Sequence, residues 1–351
     1  MADSRAADAQ PGPGSEWPVP WEPVWGESAR VGDYLSSWAV RGALGLTARL
    51  PERSLELLIR SVAALAHRLD RRRTRAAHEF LRQALGDLPH DELERRTRLA
   101  WQHLLRVTID TQRFLVKVPP ERVREHYEIV WTDDLRRVAA EKRGCILVGA
   151  HLGNWEAGAG IAPWIGLHPV YGVAKPPKNR PLSRAIQAER ERRGIRILNR
   201  KGAMRAAPRI LEAGGTIAML LDQRTSGRSF LAPFFGRLAR CDRSAGVLMQ
   251  RHRVPILVGW GTRGPKPLTY RLEFPDVLWP EDWADAELEA IVARIHQAFE
   301  HLILAHPDQY VWIHDRYKDT PSELSGGPPR ILRPGESPRA TAPPDSQAHR
   351  P

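Results

Sequence analysis

The sequence is poor in cysteine, with Cys145 and Cys241 the only two among 351 residues. Two cysteines supply neither a disulfide framework nor a cysteine-based zinc site, and such scarcity is typical of a reducing compartment. The 13 histidines show no metal-binding spacing such as H-E-x-x-H. We therefore expect no metal site, and nothing in the sequence indicates a cofactor.

Long apolar runs are also missing. No stretch reaches the roughly 18 to 20 apolar residues that a membrane-spanning helix needs, because charged residues and Pro51 interrupt residues 34–67. The same region places apolar residues at helical spacing, with arginines on the other side. Such amphipathic helices either lie at a membrane interface or pack against the domain. We expect residues 28–130 to form a helical, membrane-associating region.

Acidic residues are outnumbered by basic ones, which gives a net charge of +12 and a pI of about 10.2. This excess predicts an anionic partner, which would be nucleic acid, an anionic membrane or an acidic carrier protein. No recognised nucleic-acid-binding motif is present, so nucleic acid is not the expected partner. Residues 1–27 and 321–351 are rich in proline and small residues and are predicted to be disordered.

Strand and helix patterns alternate regularly through the second half of the chain. We expect an α/β fold over residues 131–320, a wound mixed sheet flanked by helices, with ligands bound at the carboxyl ends of the strands. The predicted strands are 145–149, 169–173, 195–198, 216–221, 255–260 and 270–274. The predicted helices are 182–193, 203–213, 243–253 and 285–306, and helices are also expected over 75–85 and 91–116.

The most informative stretch is G-C-I-L-V-G-A-H-L-G-N-W-E at residues 144–156. It reads as a buried strand that ends at His151, followed by a tight turn at Gly153 and a helix capped by Asn154. Glu156 then falls in the first helical turn and is predicted to reach back to the imidazole. That arrangement is typical of a general base with its orienting acid. The alternative is an ordinary helix start beside a surface histidine.

Other polar residues are candidates for the same cleft. Asp222 directly follows the predicted strand 216–221, so it and His151 stand at the tips of two buried strands. The arginine-rich residues 175–196 form a mainly exposed helix face, in which one or two arginines could bind a phosphate or phosphopantetheine. The apolar residues 229–236 are either a loop that contacts an acyl chain or part of the core. His296 and His301 are expected to be solvated, on the polar side of the last helix.

The motif Gly149-x-His151-x-Gly153-Asn154-Trp155-Glu156 resembles the H-x4-D/E motif of the lysophospholipid acyltransferase superfamily. It is most similar to the bacterial lipid A biosynthesis (lauroyl/myristoyl) acyltransferases, a branch that includes phosphatidylinositol-mannoside acyltransferases. The similarity extends through residues 221–223, 233–236 and 307–318, and its order and spacing cover about residues 34–318.

The resemblance implies transfer of an acyl chain from acyl-carrier protein or acyl-CoA to a glycolipid or lysolipid hydroxyl. It places the enzyme at the cytoplasmic face of the inner membrane. His151 would be the general base and Glu156 its orienting acid. The substrate-binding residues would be Arg190, with Arg192 as a neighbouring possibility, together with Asp222, Asn154 and Gly153. Backbone N–H groups near Gly153 and Asn154, or an arginine, would stabilise the oxyanion.

Two departures from the family pattern leave alternatives open. Charged residues interrupt the apolar sequence of the N-terminal region, which favours peripheral attachment to the membrane. The segment after Gly236 is unusually basic, so the acceptor could differ, with a phosphatidylinositol-mannoside as one alternative. A basic lipid-binding or nucleic-acid-binding protein without catalytic activity is the alternative from a different class.

Overall fold

A computed structural model describes residues 17–19, 29–200, 202–225, 229–318 and 320 of the chain. The predicted disordered tail at 321–351 lies outside the described residues, as does the predicted leader at 1–27 except for residues 17–19. Those three residues pack on the main body. The Tyr171 hydroxyl donates to the Val19 carbonyl at 2.8 Å, and the Arg196 guanidinium lies 4.4 Å from the centre of the Trp17 ring.

Four helices form the N-terminal part of the described chain, as the apolar spacing predicts. A short strand, β1, follows them and joins the main sheet, so the sheet extends into the region expected to be helical. The helices are α1 (Val31–Arg49), α2 (Glu52–Leu69), α3 (Arg71–Leu85) and α4 (His90–Lys117), and the strand is β1 (Tyr127–Ile129).

Helix α2 carries two apolar stripes rather than one. Leu55, Ile59 and Ala63 are buried against the domain. A second stripe, formed by Leu58, Val62, Leu65 and Leu69, is exposed. Packing against the domain therefore accounts for only half of the apolar pattern. No helix in the described part of the chain is both long and apolar enough to cross a membrane.

A seven-stranded mixed sheet forms the centre of the fold. Its strands besides β1 are β2 (Cys145–Gly149), β3 (Val170–Ala174), β4 (Ile195–Asn199), β5 (Thr216–Leu220), β8 (Ile256–Arg263) and β9 (Tyr270–Leu278). They lie in the order β1-β9-β8-β2-β5-β3-β4. The strands from β8 to β4 run parallel to one another, while β9 pairs antiparallel with β8 and parallel with β1.

Helices flank the sheet, which confirms the predicted mixed α/β architecture. These helices are α5 (Asp133–Glu141), α6 (Trp155–Ala159), α7 (Arg180–Arg192), α8 (Ala203–Glu212), α9 (Ser244–His252), α10 (Pro280–Trp283) and α11 (Leu288–Ala305). The six strands predicted from the sequence all exist, with boundaries shifted by a few residues.

Residues 229–242 form an antiparallel hairpin that the sequence patterns did not predict. Its strands are β6 (Ser229–Phe234) and β7 (Arg237–Asp242), joined at Phe235 and Gly236. Phe234 and Phe235 are buried, so the apolar segment 229–236 belongs mainly to the core. Both turn residues have positive φ, which glycine adopts freely and phenylalanine rarely does.

The hairpin also explains why one prediction about α11 is wrong. His296 is fully buried, although the sequence places it on a solvated face. The hairpin covers that face: the rings of Phe234 and His296 meet edge to face with their centres 5.6 Å apart, and the Glu300 carboxylate accepts from the Phe235 N–H at 2.6 Å. His301 is exposed, as expected.

Candidate active site

Two adjacent parallel strands bring His151 and Asp222 together. In the register of β2 and β5, Gly149 lies opposite Leu220. His151 follows Gly149 by two residues, and Asp222 follows Leu220 by two residues. His151 Nδ1 lies 2.8 Å from Asp222 Oδ1. The convergence of these two strand tips, which the sequence suggested without revealing the strand order, is therefore confirmed.

Asp222 is completely buried, and its surroundings keep it ionised. Burial alone would raise the pKa of this carboxyl. The neighbouring His151 imidazole and hydrogen bonds from His151 and the Tyr310 hydroxyl outweigh that effect and lower the pKa to about 2. Because an ionised carboxylate only accepts hydrogen bonds, Nδ1 of His151 carries the proton. The lone pair of the ring is then on Nε2, which no hydrogen bond occupies within the described part of the chain.

The turn after His151 is held by the backbone of neighbouring segments. The Gly153 N–H donates to the Gln309 carbonyl at 2.7 Å, and the Asn154 N–H donates to the Gly261 carbonyl at 2.9 Å. Gly153 has φ +61°, and a Cβ at this position would lie 1.9 Å from the Gly261 oxygen. Both N–H groups are thus already engaged, which argues against them as the donors that stabilise an oxyanion.

Asn154 caps α6, as its sequence position predicts. Its side-chain oxygen accepts from the Ala157 N–H at 3.0 Å and from the Thr111 hydroxyl at 3.2 Å. Its amide nitrogen donates to the Tyr270 hydroxyl at 3.2 Å, and the residue is fully buried. These contacts are structural. Substrate binding by Asn154 and Gly153 stays a prediction.

Glu156 does not make the contact that was expected of it. Its carboxylate pairs with Arg190 of α7, with Nε to Oε2 at 3.1 Å and Nη2 to Oε1 at 2.5 Å. The predicted approach of Glu156 to the imidazole is therefore wrong in this structure. The physical reason is that Asp222, delivered in register by the neighbouring strand, already holds Nδ1, while the first turn of α6 directs Glu156 toward α7. Whether Glu156 acts in catalysis stays a prediction.

A large, mainly apolar cleft lies beside this site, with a volume of about 940 Å³. Ala150, which directly precedes His151, and Trp155 line it, and so do both members of the Glu156–Arg190 pair. The Trp155 ring also meets the His151 ring edge to face, with the ring centres 4.9 Å apart. The cleft thus joins an apolar space to a polar edge next to the histidine.

The segment 307–318 supplies residues whose part in the site was not foreseen. Its backbone runs along the turn, where Leu152 and Tyr310 form a β-bridge and the Val311 N–H donates to the His151 carbonyl at 3.3 Å. His314 accepts from the Arg224 N–H at 3.0 Å. Burial, more than any other effect, lowers the pKa of His314 to about 4, so it is neutral at pH 7. The sequence marked this segment only through its family resemblance.

Comparison with known proteins assigns the chain to a family. The family described as bacterial lipid A biosynthesis acyltransferase matches residues 26–319. The chain belongs to this family. It is therefore an O-acyltransferase.

Individual relatives in this acyltransferase family are distant but cover most of the chain. The lipid A biosynthesis palmitoleoyltransferase of Escherichia coli K12 is 25% identical over 291 residues, which is 82% of this chain and 92% of the relative. The lauroyltransferase of the same organism is 27% identical over 294 residues, covering 82% and 93%. A lipid A biosynthesis acyltransferase of Haemophilus influenzae is 30% identical over 189 residues, covering 52% and 58%.

Proposed function

We propose that this acyltransferase moves a fatty acyl chain from a thioester, carried by acyl-carrier protein or coenzyme A, to a hydroxyl of a lipid A-type glycolipid. The observation that carries the proposal is the contact between His151 Nδ1 and the buried Asp222 carboxylate, at the edge of an apolar cleft. The names of the relatives, a palmitoleoyltransferase and a lauroyltransferase, support a fatty acyl donor and a lipid A acceptor.

His151 acts as the general base in this mechanism. Its Nε2 takes the proton of the acceptor hydroxyl while the oxygen attacks the thioester carbonyl carbon. The resulting tetrahedral species collapses, the carbon–sulfur bond breaks, and the imidazolium returns the proton to the leaving thiolate. Asp222 fixes the tautomer of the ring and stabilises the imidazolium. The products are the ester and a free thiol, without a covalent acyl-enzyme.

The Glu156–Arg190 pair acts as a substrate-binding element in this proposal. Both side chains line the cleft and are partly exposed, so a substrate reaches them without unfolding of the domain. A guanidinium presents a planar fork that suits phosphate, a group that phosphopantetheine carries. Glu156 holds Arg190 in position through two hydrogen bonds.

We further propose that α1 and α2 attach the enzyme peripherally to the cytoplasmic face of the inner membrane. Besides the exposed stripe of α2, helix α1 exposes Val31, Leu35 and Trp38. Basic side chains accompany them, as expected for contact with anionic lipids. Val40 and Leu44 of α1 line the apolar cleft, so a lipid acyl chain would pass from the bilayer to the site along this helix.

The reaction is tested with His151→Ala in the full-length protein, supplied with acyl-carrier protein or coenzyme A thioesters and a lipid A precursor. The activity should fall by about 10²–10⁴-fold, the usual contribution of a general base. His301→Ala, which removes an exposed histidine of α11, is the matched control. Mass spectrometry of the product identifies the acceptor. Full activity of the His151 variant would refute the mechanism, and acylation of a phosphatidylinositol-mannoside instead of the lipid A precursor would refute the proposed acceptor.

Membrane attachment is tested by flotation with anionic lipid vesicles. Replacing Trp38 and Leu65, which are 74% and 57% exposed, by serine should reduce the bound fraction severalfold. Leu304→Ser is the matched control, because Leu304 is 43% exposed but lies on α11, away from the proposed surface. Equal binding of all three proteins would contradict the assignment of this surface.

A further inference from the structure

A cluster of two histidines and one glutamate lies where α2, α3 and α4 meet. His67 stands in the last turn of α2, His78 in α3 and Glu94 in α4. His67 Nε2 is 3.0 Å from Glu94 Oε2, and His78 Nε2 is 3.2 Å from Glu94 Oε1. One donor atom of each residue lies within 4.8 Å of the other two. Three separate helices therefore direct potential metal ligands to one point.

Hydrogen bonding does not account for these short separations. Both Nε2 atoms are buried, and neither has a hydrogen-bond partner with acceptable geometry among the described residues, although a carboxylate oxygen is close to each. Buried polar atoms in proteins are nearly always hydrogen-bonded, so an unsatisfied pair calls for another explanation. Two buried ring nitrogens without a hydrogen bond, beside one carboxylate, are what a bound cation would require.

One arginine also lies near the cluster. The Arg98 guanidinium is 3.6 Å from Glu94 Oε2, but its side chain is 44% exposed and free to move away.

We propose that His67, His78 and Glu94 form a transition-metal site, best suited to Zn²⁺, that ties α2, α3 and α4 together. Zinc binds nitrogen and carboxylate oxygen at about 2.0–2.2 Å in tetrahedral geometry, which places neighbouring ligands about 3.3 Å apart. The separations of His67 Nε2 and His78 Nε2 from Glu94, 3.0 and 3.2 Å, are close to this value, and each histidine faces a different oxygen of the carboxylate. Mg²⁺ and Ca²⁺ prefer sites made wholly of oxygen.

The site lies apart from the apolar cleft. Glu94 precedes Val107, the first residue of α4 that lines the apolar cleft, by 13 positions, or about 20 Å along a helix. The metal would act on structure, by fixing α2 to the two helices behind it. Because α2 carries the exposed apolar stripe, the ion would hold that stripe in place on the domain.

The site is tested by titrating metal-stripped, full-length protein with ZnCl₂ in a calorimeter and by following its thermal unfolding. We expect one tight Zn²⁺ per chain and a rise in Tm of a few °C. His78→Ala and Glu94→Gln should each weaken Zn²⁺ binding by at least roughly 10–100-fold, because loss of even an outer-shell partner of a metal ligand has an effect of this size. His301→Ala controls for binding to exposed histidines. Equal Zn²⁺ binding and Tm shifts in wild type and the His78 variant would overturn the proposal.

A spectroscopic measurement on the wild-type protein covers the case in which these variants fail to fold. Co²⁺ in place of Zn²⁺ should give the visible absorption bands of a four- or five-coordinate ion, saturating at one ion per chain and bleached by added Zn²⁺. Absence of a saturable band would overturn the proposal without any substitution. Because neither measurement uses acyl transfer, the result is independent of the proposed enzymatic function.

Discussion

Two carboxylates near His151 stand in contrasting surroundings. Asp222 lies just beyond the carboxyl end of the central strand β5, is completely buried and accepts hydrogen bonds from His151 and Tyr310. Glu156 lies on the wall of the open cleft, where its side chain is 31% exposed and paired with Arg190. The Asp222 carboxylate is positioned by two neighbouring parallel strands, and the Glu156 carboxylate by an ion pair between α6 and α7.

This contrast favours an exchange of the two roles implied by the family resemblance, in which Glu156 orients the histidine and Asp222 binds substrate. A carboxylate that orients a catalytic histidine must be fixed and dehydrated, because both conditions strengthen its hydrogen bond and its charge interaction. A group that contacts a changing series of substrates must instead be reachable from solvent. Asp222 meets the first requirement and Glu156 the second.

The largest loss of activity is expected for Asp222→Asn, which tests the role assigned to the buried carboxylate. Loss of the charge removes the group that fixes the His151 tautomer, so the activity should fall by about 10²–10⁴-fold. Since the two residues act as one unit, adding His151→Ala to Asp222→Asn should lower the activity little further. Steady-state kinetics with one acyl thioester measure both effects.

Asp308→Asn is a suitable control for that measurement, because Asp308 is an exposed carboxylate on the segment that runs along the His151 turn. Circular dichroism establishes that each variant is folded. Near-normal activity of Asp222→Asn together with inactivity of Glu156→Gln would reverse the roles assigned here and restore Glu156 as the orienting acid.

An intermediate effect is expected for Glu156→Gln. This change removes the charge that faces Arg190 but leaves the His151–Asp222 contact intact, so KM should rise by about tenfold or less with a smaller change in kcat. Arg190→Lys should behave similarly, because a lysine lacks the planar fork that makes two hydrogen bonds. A collapse of kcat with unchanged KM would show that the pair belongs to the chemical step.

The smallest effect concerns stability in acid. The pKa of Asp222 is about 2 in the folded protein against a reference of 3.8, so its ionised form stabilises the fold above pH 4. That contribution, about 2 kcal/mol, should disappear as the pH falls from about 4 to 2. Denaturant unfolding at several pH values should show that the difference in free energy of unfolding between wild type and Asp222→Asn becomes smaller over this range. A difference in free energy of unfolding that does not change with pH would contradict the lowered pKa of Asp222.

Much of the fold was predictable because its patterns are local. Continuous apolar runs bounded by small residues marked six strands, and helical spacing marked the long helices. The hairpin β6–β7 was missed because Pro233 and Gly236 look like loop residues, and pairing between its strands is not visible in either one alone. His296 was misplaced for a related reason: a helical wheel assumes one buried face, whereas the hairpin covers a second face of α11.

The sequence by itself determined where His151 stands. An apolar strand, a glycine that adopts positive φ and an asparagine cap are local features, and together they place the histidine on a turn at a strand end. Only the tertiary structure decided which carboxylate the histidine contacts. That choice depends on β5 lying beside β2 in matching register, a pairing between segments about 70 residues apart that local sequence patterns do not encode.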